Sequence, residues 1–204
     1  MSPERSTGEI DRMAALGVAV EGGLIVLAAL LSWLLRLPIR EELNWTWRAL
    51  AEGVLAGLPL AAMLLVLRSA PWTPIRELNR LVDESLTPLF KSCSWKQLAL
   101  IAVLAGIGEE WLFRGVLQRG LTPWLGAVGA CAAASLAFGA VHAVSMTYAV
   151  LATLIGAYLG WLWQTTGNLL PPIIAHALYD WIALIYLTRF TPLPQSGNAD
   201  AGSE

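Results

Sequence analysis

Three stretches of this chain carry ionisable side chains inside otherwise apolar sequence. The first reads Gly108-Glu109-Glu110-Trp111-Leu112-Phe113-Arg114. On a helix Glu110 and Arg114 stand four residues apart, so carboxylate and guanidinium stack on one face and neutralise each other. Glu109 is turned about 100° away, shares its face with Gly106 and Phe113, and has no partner four residues on. A general base needs such an arrangement: one desolvated carboxylate beside a second that is held ionised and structural. The same residues also read as a structural ion pair with a second Glu that snorkels to the interface.

The second stretch is Phe138-Gly139-Ala140-Val141-His142, where Gly139 and Ala140, with Ser135 just before, allow a neighbouring helix to approach closely. Taken alone, His142 near a helix end reads as readily as a packing or interfacial residue. The third is His176-Ala177-Leu178-Tyr179-Asp180, just after Pro171-Pro172 sets a helix start. His176 and Asp180 project together, and the carboxylate is placed to hold the imidazole in one tautomer. Both histidines of the protein, His142 and His176, and the Glu-Glu pair lie on three apolar stretches rather than in polar ends. Charge at bilayer depth costs about 2.5–3.5 kcal/mol on insertion scales, so an intramembrane cluster is read as functional.

The elements that must position these groups follow from composition. Hydrophobic residues make up 56% of the 204 and charged residues 14%, against roughly 25% charged in a soluble domain. Mean hydropathy is +0.60. A spanning helix takes about 20 apolar residues, and about six stretches qualify: 13–35, 49–68, 97–119, 124–142, 146–164 and 169–188. The expected fold is therefore all-α, a polytopic transmembrane helix bundle of about six spanning helices plus one interfacial amphipathic helix. That last helix falls between the second and third spans, where Ile75, Leu78, Leu81, Val82, Leu89 and Phe90 recur at helical spacing. Arg76, Glu77, Arg80, Asp83 and Glu84 occupy its other faces.

Residues 1–96 form an N-terminal two-helix hairpin and amphipathic connector, 97–190 the helices with the ionisable motifs, and 191–204 a disordered tail, all within one membrane domain. The first apolar stretch ends in Trp33-Leu34-Leu35-Arg36 rather than a cleavage site and reads as a retained helix. Trp33, Trp45, Trp47, Trp72, Trp95, Trp124, Trp161 and Trp163 fall near helix ends, as an aromatic belt does, with ordinary packing accounting for some. Arg5, Arg12, Arg68, Arg76, Arg80, Lys91, Lys96 and Arg189 fall on one side, and Arg36, Arg40, Arg48 and Arg119 on the other. This bias places both termini in the cytoplasm, in a cytoplasmic (inner) membrane. A net charge of −2 without a basic aromatic patch argues against nucleic acid, and Cys93 and Cys131 make neither a disulfide framework nor a cysteine zinc site. Counted along straight helices at 1.5 Å per residue, Glu109, His176 and His142 spread over about 12 Å of depth, so tilted or broken helices are expected.

At these residues the chain resembles the CAAX prenyl protease type 2 family, also called the CPBP or Abi family. Its pattern of E-E-x-x-x-R, F-x-x-x-H and H-x-x-x-N or D on separate helices stands here as Glu109, Glu110 and Arg114; Phe138 and His142; His176 and Asp180. The likeness spans roughly residues 97–188. It implies an intramembrane endopeptidase in which Glu109 and His142 activate a water while His176 and the residue at 180 stabilise the oxyanion. The substrate would be a membrane-anchored peptide or protein in the lipid bilayer. The resemblance leaves open a metalloprotease, with one divalent metal such as zinc on Glu109, His142 and His176, or a metal-free glutamate base. Asn is commoner at the last position, and an ionised Asp180 only accepts hydrogen bonds, so it fits an orienter of His176 or a neutral acid. Two other functions share these residue types. A proton-coupled membrane transporter carries Glu and His relays at midplane but commonly shows inverted repeats, which this sequence lacks. A catalytically silent membrane scaffold or immunity protein would keep the motifs for packing.

Overall fold

The computed structural model describes residues 3–191, and every regular element within them is helical. The order is α1 (Pro3–Leu34), a 3-10 turn (Ile39–Glu42), α2 (Trp47–Ser69), α3 (Thr73–Leu81) and α4 (Thr87–Phe90). It continues with α5 (Trp95–Glu110), α6 (Arg119–Val141), α7 (Met146–Thr166) and α8 (Leu170–Phe190). Two π-helical segments, Val82–Leu86 and Trp111–Gln118, join α3 to α4 and α5 to α6 without a loop. The tail expected over 191–204 lies, from 192 on, outside the described residues.

Helix starts follow local chemistry. Thr46 caps α2 by accepting from Ala49 N, Ser94 and Gln97 form a reciprocal capping box on α5, and Ser145 accepts from Tyr148 N at α7. Asn168 Oδ1 accepts from Leu170 N at the head of α8, where Pro171 and Pro172 need no hydrogen-bond acceptor.

Among the described residues, five helical stretches are long and apolar enough to cross a membrane: Arg12–Leu34, Trp47–Ser69, Trp95–Val141, Met146–Thr166 and Leu170–Phe190. Four correspond to spans expected from the sequence. The fifth merges the two expected over 97–119 and 124–142, because helical geometry persists through Thr122-Pro123, where the sequence suggests a loop. It is nevertheless two legs. A straight helix would separate Phe113 from Phe138 by about 38 Å, yet their ring centroids are 5.0 Å apart. The chain turns back at Gly126, whose φ of 68° and ψ of 173° are open to glycine without steric cost.

The bundle is thus a polytopic helical membrane protein. Exposed Leu, Val and Trp side chains cover its outer face, as lipid demands. Inside, α2 and α5 both lie on α8, α1 on α5, and α6 on α7. The connector forms as expected, with Ile75 and Leu78 of α3 buried. Lys91 Nζ donates to the Thr191 carbonyl, and Arg189 donates to the carbonyls of Lys91 and Cys93, so the connector and the end of α8 share one end of the bundle. At the other end Glu42 pairs with Arg119 and accepts from Trp163 Nε1 at 3.2 Å. Trp163 is therefore buried packing rather than part of an aromatic belt, whereas Trp33, Trp45, Trp47, Trp72, Trp95, Trp124 and Trp161 are exposed.

Candidate active site

The three motifs converge. Glu110 is fully buried, and its Oε1 accepts from Arg114 Nη1 at 2.9 Å and from His176 Nδ1 at 2.8 Å. A carboxylate paired with arginine can only accept, so the imidazole donates through Nδ1 and turns Nε2 the other way. That Nε2 lies 3.4 Å from Asp180 Oδ2. The ring of His176 is thus oriented from α5 by Glu110, while Asp180 meets its outward nitrogen. Arg114 is completed by donating from Nη2 to the Gly156 carbonyl of α7 at 2.7 Å.

His142 ends α6, and its Nδ1 stands 2.8 Å from the Phe138 carbonyl. A carbonyl only accepts, so Nδ1 carries the proton and the neutral ring offers a lone pair at Nε2. Nε2 faces Glu109 Oε2 at 3.6 Å, too long for a hydrogen bond. Glu109 is buried, and that same oxygen has no hydrogen-bond partner. Two acceptors facing each other call for hydrogens from a third molecule, and a water supplies two.

Phe138 holds the pieces in register. Its ring lies 4.4 Å from that of His142, 5.9 Å from that of His176 and 5.0 Å from that of Phe113, with the Arg114 guanidinium 4.9 Å from its centroid. The hairpin at Gly126 brings Phe138 back beside Phe113, and the π-helical segment begins directly after Glu110. Such widened turns cluster at functional sites. Close approach of α8 depends on Gly106, where a Cβ would meet the Ile173 carbonyl at 2.8 Å and the Ala177 Cβ at 2.9 Å. The depth spread of about 12 Å counted on straight helices does not arise for Glu109 and His142.

A cavity of about 290 Å³ adjoins these residues, lined by Glu109, Asp180, Tyr148 and Tyr179 and otherwise mostly by apolar side chains. Glu21 of α1 also lines it. No motif surrounds Glu21, and its only signal is being the single acid between residues 12 and 34. Among the described residues no three His, Cys, Asp or Glu side chains converge to hold a metal ion. His176 donates through Nδ1 to Glu110, which leaves Nε2, facing Asp180, as its open nitrogen, and no chemistry here is routed through a metal.

Comparison with known proteins agrees with the motif reading. Residues 91–182 match the family described as "Type II CAAX prenyl endopeptidase Rce1-like". The uncharacterized protein YpbD of Bacillus subtilis (strain 168) is 33% identical over 95 residues. That match takes in 45% of this chain and 46% of the relative, so the chain spans about half the length of the curated relative it matches. No solved structure matches.

Proposed function

We propose that this chain, whose residues 91–182 match the type II CAAX prenyl endopeptidase family, hydrolyses a peptide bond of a membrane-anchored substrate from within the bilayer. The observation that carries the reading is the unpartnered Glu109 Oε2 facing His142 Nε2 at 3.6 Å beside a cavity. A water between them gives up a proton as its oxygen attacks the scissile carbonyl carbon. The proton passes to the Glu109–His142 pair. The resulting tetrahedral oxyanion faces His176, which, when protonated on both nitrogens, donates through Nε2 while Nδ1 donates to Glu110. Collapse breaks the C–N bond, and the Glu109–His142 pair returns the proton to the leaving amine. Glu110 and Arg114 keep His176 in place and take no part in the proton transfers.

The charge bias supports a cytoplasmic membrane with the 68–96 connector, and hence the end of the cavity lined by Arg68 and Asn79, on the cytoplasmic side. The test is cleavage of a prenylated CAAX-type peptide and of a mixed membrane-anchored peptide pool by protein purified in detergent. Wild type should cut, and Glu109→Gln and His142→Ala should not while folding normally. No cleavage by wild type would leave a silent scaffold as the reading, and equal cleavage by wild type and Glu109→Gln would remove Glu109 as the base.

A further inference from the structure

The N-terminal helix lies outside the matched segment, yet its Glu21 lines the cavity. Its position is fixed by small residues. A Cβ at Gly108 would meet the Glu21 carbonyl at 3.0 Å and the Leu24 Cβ at 3.1 Å, and one at Gly17 would meet Ile101 at 3.2 Å. The Glu21 backbone is therefore held against α5 one residue before Glu109, and its side chain reaches the same cavity. Oε2 of Glu21 is buried without a hydrogen-bond partner, as is Oε2 of Glu109, a residue only 8% exposed.

The cavity is short of positive charge even with His176 protonated, since that imidazolium lies against Asp180 and Glu110. Glu21, Glu109 and Asp180 line it together, and the arginine among its lining residues, Arg68, has both Nη atoms engaged by Asp83 at 3.0 Å. Arg114 is engaged by Glu110 and the Gly156 carbonyl. The remaining walls, including Leu64, Leu67, Ile101, Leu151 and Leu184, are apolar. Whatever binds here must bring the missing donors, and a low-dielectric wall strengthens the attraction of a carboxylate for a cation. A neutral acceptor would serve a peptide N–H as well as Glu21 does; the charge is what a cation needs.

We infer that Glu21 is a specificity-determining residue that receives a lysine or arginine side chain of the substrate close to the scissile bond. This rests on the endopeptidase reading above. The test uses purified wild type, Glu21→Gln, Glu21→Asp and Glu21→Lys in detergent with a library of N-palmitoylated peptides, randomised on both sides of the cut and read by mass spectrometry. Wild type should select Lys or Arg at one fixed position over its norleucine counterpart. Glu21→Gln should lower that ratio of kcat/KM at least about tenfold, as loss of one partner of a buried charge pair does. Glu21→Asp should keep the preference, and Glu21→Lys should turn it towards Asp and Glu. Cleavage by wild type without a basic preference, or an unchanged profile in Glu21→Gln, overturns the assignment while leaving the endopeptidase intact. No cleavage of any peptide by wild type overturns the endopeptidase reading and this assignment with it.

Discussion

Glu109 Oε2 and His142 Nε2 face each other at 3.6 Å with no hydrogen between them, because Nδ1 of that imidazole already donates to the Phe138 carbonyl. The two side chains come from opposite legs of one hairpin. Removing the acid while keeping its shape isolates its role. Glu109→Gln should lower kcat by about 10²–10⁴-fold, the usual contribution of a positioned general base. Its melting temperature in detergent should stay that of wild type, because Oε2 has no bond to lose.

Glu110 and Arg114 should behave in the opposite way. Both are essentially unexposed, and each is the other's counter-charge. Arg114→Ala leaves a buried carboxylate beside His176 and should destabilise the protein by about 3–5 kcal/mol, seen as a lower unfolding midpoint. The double change Glu110→Leu with Arg114→Met should recover much of that stability yet remain inactive. His176 then lacks the acceptor that orients its ring.

How far these roles are legible before folding depends on whether partners share a helix. Glu110–Arg114, Phe138–His142 and His176–Asp180 are each four residues apart, so helical period alone pairs them. The span limits also emerge to within a few residues, because Ser94, Ser145 and Pro171-Pro172 punctuate the apolar runs. Contacts between helices carry no such period. That Glu110 rather than Asp180 holds His176 Nδ1, and that Glu21 reaches the cavity, depend on where α1 and α8 cross α5. The height of His142 against Glu109 depends on the turn at Gly126 and on the π-helical segment before it. Sequence spacing treats both as plain helix.

Asp180 separates orientation from transition-state contact. His176 is oriented through Nδ1 by Glu110, so the charge at position 180 is not needed to fix the ring. Asp180→Asn should keep or raise activity, since its amide can donate to the oxyanion as the ionised acid cannot. Asp180→Ala should fall about 10²-fold in kcat below Asp180→Asn, the usual effect of deleting one oxyanion contact. An inactive Asp180→Asn in a folded protein would show that the negative charge itself is required.

Gly106 sets the distance between the two halves of the site. Even Gly106→Ala places a methyl 2.8 Å from a backbone oxygen of α8, and the backbone must shift to admit it. The expected cost is about 1–3 kcal/mol of stability, with a fall in activity because Glu110 and His176 separate. Gly120→Ala, where no atom lies within 4 Å of the added carbon, should leave unfolding and cleavage as in wild type.

Metal dependence follows from the donors. A catalytic zinc takes three protein ligands and keeps one position open. Glu109 and His142 could supply two, but Nε2, the nitrogen that His176 has left once Nδ1 donates to Glu110, is turned to Asp180. Recruiting His176 through Nε2 would displace Asp180 from that nitrogen. Cleavage should therefore survive chelation by EDTA followed by dialysis, and mass spectrometry of the purified protein should find no stoichiometric zinc. Activity lost on chelation and restored by zinc, together with metal content that falls in His142→Ala, would replace the glutamate–histidine pair with a metal-bound hydroxide as the nucleophile.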